Sequence, residues 1–262
     1  FLTSRSLLKR CVKGMILPLL FRNVWGLYIG KNSREFFRYY GTPAERLFPA
    51  RYCVNNQFFR QQYLKLRETR LHIRSQFGIN GPEPVVLFAG KLIDKKRPQL
   101  LLEAFRRVRQ HVRCHLLFAG DGPLRSQLQN RVQDQGIEDV HWAGFLDQAE
   151  LPRAYTAADI FVLPSAYMET WGLVVNEAMN FELPIVLSSH VGCGADLVEE
   201  GRNGHVFPSE DEGALVAALQ SLIKSSERRM SYGRRSAEIV SHYSIDNCAN
   251  EIVRACLIAG GR

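Results

Sequence analysis

From about residue 84 onward the chain alternates short apolar runs with stretches whose apolar positions recur at helical spacing. PVVLFAG (84–90), CHLLFAG (114–120), VHWAGF (140–145), DIFVLPS (159–165) and PIVLSS (184–189) are the runs. Between them PQLLLEAFRRVRQ and PLRSQLQNRVQDQG place Leu, Phe and Val three or four positions apart. A strand that is apolar on both faces needs cover on both, and helices between successive strands supply it. The pattern therefore predicts an α/β domain built on a doubly wound parallel sheet. Ligands of such sheets bind beyond the carboxyl ends of the strands, which is where AGKLIDKKRP, AGDGP, AGFLDQ and LPSAYMETWG begin.

The first 80 residues read differently. LYIG precedes a helical NSREFFRYYG, and TPAERLFPARYCVNNQFF supplies one more extended run, a pattern that fits the incomplete tail of a second α/β domain. RQQYLKLRETRLHIRSQFGINGPE reads as a helix and linker, with Gly78, Gly81, Pro82 and Pro84 marking the boundary. The expected division is 1–80 for this tail and linker, 81–243 for the doubly wound domain and 244–262 for a closing helix. Phe1 is not an initiator Met, so a longer parent protein is expected.

Composition narrows the partners. Lys and Arg exceed Asp and Glu by 8 in 262 residues, which points to an anionic partner such as a phosphate ester, a nucleic acid or a lipid surface. The six cysteines are scattered without a C-x-x-C pair, so neither a zinc cage nor a disulfide framework is indicated and a reducing, cytoplasmic setting is the simpler reading. His111, His115, His141, His190 and His205 show no ligand spacing and read as structural or surface residues, and no metal ligand is assigned. No apolar run approaches the ~20 residues of a membrane span.

Three loops carry candidate chemistry. GKLIDKKRP sets Lys91, Lys95, Lys96 and Arg97 directly after a strand; four cations so close repel one another unless an anion sits among them, and a diphosphate is a natural guest. A basic loop facing water is the alternative, and charge alone does not separate the two. In AGDGPLR, Gly120, Asp121 and Gly122 allow a tight turn, but a lone G-x-G is common. The third is ETWGLVVNE. If a helix begins near Gly172, the amides of Trp171, Gly172 and Leu173 point toward the strand ends and suit a phosphate. Glu169 and Thr170 then lie before the helix, and Glu177 about a turn and a half inside it. A carboxylate can hold vicinal hydroxyls through two oxygens, so two acids flanking a phosphate site suggest a ligand with a sugar at each end. Composition alone yields about one such pair by chance, so the context and not the spacing discriminates.

That context is ordered. GKLIDKK, AGDGPLR, GFLDQAELPRAYTAADIFVLPS, Glu169 to Glu177 as E-x7-E, and LPIVLSSHVGCGADLVEEGRNGHVF together resemble the donor-binding, C-terminal half of the retaining family 4 glycosyltransferases, enzymes of the GT-B fold. The resemblance covers most of residues 84–208, and residues 33–59 resemble the end of that family's acceptor domain. It implies a nucleotide-sugar substrate of the UDP or GDP type, a hexosyl transfer independent of metal, and no cofactor. It implies Lys96 on the diphosphate, with Lys91 where the family usually has Arg; Glu169 on the transferred sugar and Glu177 on the ribose; Gly172 and Leu173 as backbone donors, beside Thr170 and Trp171; and Phe145 and Leu146 along the base. Asp196 stands where such loops carry Glu, and Ala195 where they carry Pro.

Upstream, Leu8, Val12, Met15, Ile16 and Leu19 share one helical face, with Arg5, Lys9, Arg10 and Lys13 elsewhere and Pro18 interrupting. Residues 5–22 could lie on an anionic membrane surface, which a lipid-linked acceptor would make useful, or pack as an ordinary core helix. The expectation is thus a nucleotide-sugar-dependent glycosyltransferase acting on a sugar or lipid-linked acceptor in polysaccharide or lipopolysaccharide assembly. It would be cytoplasmic or peripheral on the inner membrane face, without a nucleic-acid partner, and in this length competent mainly to bind donor. A non-catalytic nucleotide-sugar-binding module and a peripheral membrane-association protein are the competing readings.

Overall fold

The computed structural model describes residues 7–261 apart from Met168, with side chains from Lys13 onward. Its elements run α1 (Leu7–Phe21), β1 (Gly26–Tyr28), α2 (Lys31–Tyr39), β2 (Leu47–Pro49), α3 (Asn56–Leu66), α4 (Arg70–Gln76), β3 (Val85–Ala89), α5 (Pro98–Arg109), β4 (His115–Ala119) and α6 (Arg125–Asp134). They continue with β5 (Val140–Gly144), α7 (Leu151–Ala157), β6 (Ile160–Leu163), α8 (Leu173–Met179), β7 (Ile185–Ser188), α9 (Gly194–Leu197), β8 (Gly204–Phe207), α10 (Glu212–Ile223), α11 (Ser226–Ser241) and α12 (Ile245–Gly260). Contacts divide the chain into two compact units, 54–242 and 1–53 with 243–262.

In the larger unit six strands pair in parallel in the order β5-β4-β3-β6-β7-β8. The five predicted runs are five of them. The sixth, β8, is an edge strand in which His205 is half-buried and Val206 exposed, so its four residues carry no continuous apolar run. Every residue of β3, β4, β6 and β7 is buried, as strands covered on both faces require. α5 shows how the sequence sets this up: Pro98 opens it at the first position, where a missing N–H costs nothing, and Leu101, Leu102, Phe105 and Val108 are buried against Phe88, Leu116 and Phe118 of the sheet. Side-chain oxygens of Asp211 and Ser225 accept the Ala214 and Arg228 amides at 2.9 and 3.1 Å and start α10 and α11.

Residues 54–80, read in the sequence as part of the first segment, pack in this larger unit. The Asp159 carboxylate, just before β6, accepts from Arg70 at 2.7 Å, Arg74 at 2.5 Å and the Val85 amide at 2.7 Å, which fixes α4 to the amino ends of β3 and β6. α3 is held by Phe59, buried beside Phe181, and by Arg60 and Tyr63 on the Glu182 carboxylate at 2.8 and 3.1 Å. Long-range packing places the division near residue 53, a boundary that Gly and Pro punctuation at 78–84 does not mark.

In the smaller unit β1 and β2 pair in parallel and α12 packs on β2. The closing helix therefore joins the N-terminal segment and does not stand alone. α1 runs through Pro18 and leaves Met15, Ile16, Leu19 and Leu20 exposed. Arg5 and Ser6 of the proposed membrane segment lie outside the described residues. Among those described, no helix is long and apolar enough to cross a membrane.

Candidate functional site

The strand order reverses between β3 and β6, so the loops leaving these two neighbours diverge to opposite faces and open a crevice at their carboxyl ends. Lys96 reaches this place from the loop after β3, on a short turn (Asp94–Lys96). Glu169 reaches it from the loop after β6. The Lys96 ammonium and the Glu169 carboxylate form an ion pair there, their side chains only 16% and 12% exposed, and the Ser165 hydroxyl donates to the same carboxylate at 3.2 Å. The Ala166 amide on the Lys95 carbonyl, at 2.9 Å, ties the two loops together.

The other basic residues of the loop divide. Arg97 sits in the left-handed region at φ 51° and is committed to Asp94 and Glu210 at 2.5 and 2.8 Å, so its charge is answered within the chain. Lys91 is exposed. Of the predicted cationic cluster, the geometry brings Lys96 to Glu169 and leaves Lys91 on the rim.

Glycine makes the neighbouring loops possible. Gly120, at φ 147°, lies so close to the first loop that a Cβ would stand 1.9 Å from the Gly90 carbonyl oxygen, and one on Gly122 would stand 2.5 Å from that of Leu92. The loops after β3, β4 and β5 are joined by Gly90 N–H to Ala119, Leu92 N–H to Asp121 and Gly120 N–H to Gly144 at 2.9, 2.9 and 2.7 Å. Asp121 accepts from the Gly122 amide and from Arg125 at 2.7 and 2.8 Å. The resemblance places Gly120, Asp121 and Gly122 at the donor; here the Gly120 and Gly122 amides and the Asp121 side chain bond within the protein and hold the neighbouring loops together. Phe145, at the end of β5, is 75% exposed, with Leu146 half-buried beside it.

ETWGLVVNE folds as anticipated. Gly172, at φ 100°, is the N-cap of α8, and no acceptor among the described residues takes the amides of Gly172 and Leu173. Thr170 is exposed, whereas Trp171 is buried and its indole N–H donates to Asn176 at 2.8 Å, so the ring anchors the helix start. The loop after β7 runs alongside, the Gly192 amide on the Glu169 carbonyl at 2.8 Å. Cys193 there is buried; burial above all, with Glu169 and Asp196 nearby, pushes its thiol well above the usual range, which leaves it inert.

Glu177 lies on α8 with its carboxylate accepting from the Tyr155 hydroxyl at 2.7 Å. Burial raises its acid above the ordinary value, against the pull of that hydrogen bond. Tyr155 is itself fully buried, and burial followed by Glu177 holds its phenol far above the usual range. Tyr155 carries no signal in the sequence, because it meets Glu177 from 22 positions away; Ser165 lies four positions before Glu169 in the same loop, where a hydroxyl beside an acid is too common a pattern to single out.

The fold and the site define a Rossmann-like domain of the kind that forms the C-terminal half of GT-B glycosyltransferases. Residues 69–238 match the model of the family described as glycosyl transferases group 1, and the chain belongs to that family. It is 27% identical over 213 residues to alpha-D-kanosaminyltransferase of Streptomyces kanamyceticus, covering 80% of this chain and 54% of that one. It is 34% identical over 190 residues to the amylovoran biosynthesis glycosyltransferase AmsK of Erwinia amylovora, covering 70% and 43%. The crystal structure of Anabaena HepE in complex with UDP superposes with a TM-score of 0.70 at 21% identity, covering 87% of this chain and 62% of that one. The chain thus spans about half the length of the curated relatives it matches.

Proposed function

We propose that this chain supplies the donor site of a nucleotide-sugar-dependent hexosyltransferase of retaining, family 4 type. The observation that carries the reading is the Lys96–Glu169 ion pair at the reversal point of the sheet, three residues from amides that no acceptor among the described residues takes. The neighbour HepE has been crystallised in complex with UDP and with UDP-glucose, and a ligand of that chemistry fits the arrangement here. Lys96, with Lys91 at the rim and the Gly172 and Leu173 amides, would hold the diphosphate; Glu169 would turn from Lys96 to the hydroxyls of the transferred sugar, Glu177 would take the ribose, and Phe145 and Leu146 would border the base.

The chemistry asked of these groups is charge separation. As the bond from the anomeric carbon to the phosphate oxygen breaks, negative charge grows on the diphosphate and positive charge spreads over the sugar ring. A fixed ammonium and helix-end amides stabilise that anion more in the transition state than in the ground state. The acceptor oxygen then bonds to the anomeric carbon, and its proton passes to the leaving phosphate on the same face. No divalent metal is required in this scheme, so EDTA should leave binding and transfer unaltered.

Calorimetric titration of the chain with UDP, GDP, ADP and dTDP tests the site. One nucleotide should bind, and Lys96→Ala and Glu177→Ala should each weaken it; binding indifferent to both substitutions would refute the assignment. We further propose a sugar or lipid-linked acceptor in polysaccharide or lipopolysaccharide assembly. A cytoplasmic location is proposed with it, peripheral through the exposed apolar face of α1. Sedimentation with phosphatidylglycerol vesicles, abolished by Met15→Asp with Leu19→Asp, is the expected outcome; sedimentation unchanged by the pair would exclude that face.

A further inference from the structure

At the opposite, amino-terminal end of the sheet, His115 opens β4 and His141 is the second residue of β5, with Asp139 immediately before that strand. The parallel register, with Leu117 opposite His141, and the left-handed backbone of Asp139 at φ 59° bring the three side chains together. His115 Nδ1 lies 3.1 Å from His141 Nε2 and 3.6 Å from Asp139 Oδ1, and all three ligand atoms fall within 4.8 Å of one another. From these contacts we propose a divalent-metal site of the zinc type, with His115 Nδ1, His141 Nε2 and Asp139 Oδ1 as ligands and a water completing the tetrahedron.

The dimensions agree. Ligand bonds of about 2.0–2.1 Å at tetrahedral angles separate neighbouring ligand atoms by about 3.3 Å, and the two separations here, 3.1 and 3.6 Å, bracket that edge. The second observation is the surrounding support. The Phe77 backbone also meets the His141 ring. The other oxygen of Asp139 is gripped by Arg109, which turns Oδ1 toward the imidazoles. The second nitrogen of His115 faces the Glu83 carboxylate at 3.9 Å. The Arg109 grip on Asp139 is the kind of outer contact that orients a ligand in metal centres, and the Glu83 carboxylate near His115 adds negative charge beside the site. Two imidazoles and a carboxylate suit Zn²⁺ and its near relatives rather than Mg²⁺ or Ca²⁺. Bridging two adjacent strands and the residue that enters β5, the ion would act as a staple, remote from Lys96 and Glu169 at the strands' other ends.

The competing arrangement is a bare hydrogen bond between the two rings, and titration separates them. The untagged chain, stripped with EDTA and carrying Cys11→Ser, Cys53→Ser, Cys248→Ser and Cys256→Ser so that only the buried Cys114 and Cys193 remain, is titrated with Zn²⁺ by calorimetry and with Co²⁺ by visible absorption. We expect one equivalent bound, the intense d–d bands of tetrahedral Co²⁺, and a melting temperature that rises with Zn²⁺. His141→Gln and Asp139→Asn, the latter tolerant of a left-handed backbone, should each weaken binding at least tenfold, on the order of what even outer-shell changes cost such sites. Circular dichroism confirms that both variants fold, and if either does not, His115→Gln is read in its place. Failure to bind Zn²⁺ or Co²⁺, or binding unaltered by these substitutions, overturns the proposal.

Discussion

Replacing Glu169 with Gln separates two jobs that one ion pair performs. In the chain as it stands Lys96 is already neutralised, so a nucleoside diphosphate must draw the ammonium away from Glu169 before it can be held. The pair is neither fully buried, where removing one partner costs about 3–5 kcal/mol, nor on the open surface, where it is worth about 0–1 kcal/mol. With side chains 16% and 12% exposed and a Ser165 hydroxyl on the same carboxylate, about 1–2 kcal/mol is the reasonable interval. That is a factor of about 5–30 in an equilibrium constant. Glu169→Gln should therefore bind free UDP, or whichever diphosphate the titration selects, about 5–30 times more tightly, while losing any preference for the matching nucleotide sugar over the bare diphosphate. The ligand-free protein should melt about 2–8 °C lower, since Lys96 is left half-buried without its counter-charge. Paired calorimetric titrations of parent and variant with diphosphate and nucleotide sugar, plus one thermal melt, decide the matter. A tenfold weaker grip on the diphosphate, or an intact preference for the sugar, would show that Glu169 does not compete with the phosphate for Lys96.

Two further outcomes follow from the same geometry. Burial holds the Glu177 acid above its ordinary 4.5, so the fold favours the protonated form, whose contribution is full below that value and is lost as pH rises through the folded one. Glu177→Gln should melt higher than the parent at neutral pH, the gap closing on acidification below about pH 4.5, yet bind nucleotide about 10- to 100-fold more weakly through the lost charge-assisted hydrogen bond; a variant that melts lower at neutral pH would contradict the burial argument. Gly120→Ala drives a Cβ against the Gly90 carbonyl in a backbone region closed to alanine. We expect about 1–3 kcal/mol lost from strain alone, read by urea unfolding, and an unchanged midpoint would mean that the crevice floor is softer than the three-loop hydrogen bonds indicate.

Much of this protein was legible in the order of its residues. Strands buried on both faces must be apolar throughout and helices laid on them must be apolar on one stripe, so β3, β4, β6, β7 and α5 announced themselves. The loops at their carboxyl ends are legible from the residues alone, and with them Lys96, Glu169, Gly172 and Glu177 as candidates. What sequence could not give is whatever depends on side chains distant in the chain. Arg97 lies beside Lys96 in sequence but is turned to Glu210, and the close approach of Gly120 to the Gly90 carbonyl joins loops 30 positions apart. Tyr155 beneath Glu177, the edge strand β8 and the packing of residues 54–80 on the larger unit have no periodic signature. The same is true of His115, Asp139 and His141. Separated by up to 26 positions, they show no ligand spacing along the chain and become neighbours only because β4 and β5 pair in one register. Periodicity reports the environment of a residue's own element; which distant group completes that environment is decided by packing, which only the tertiary structure contains.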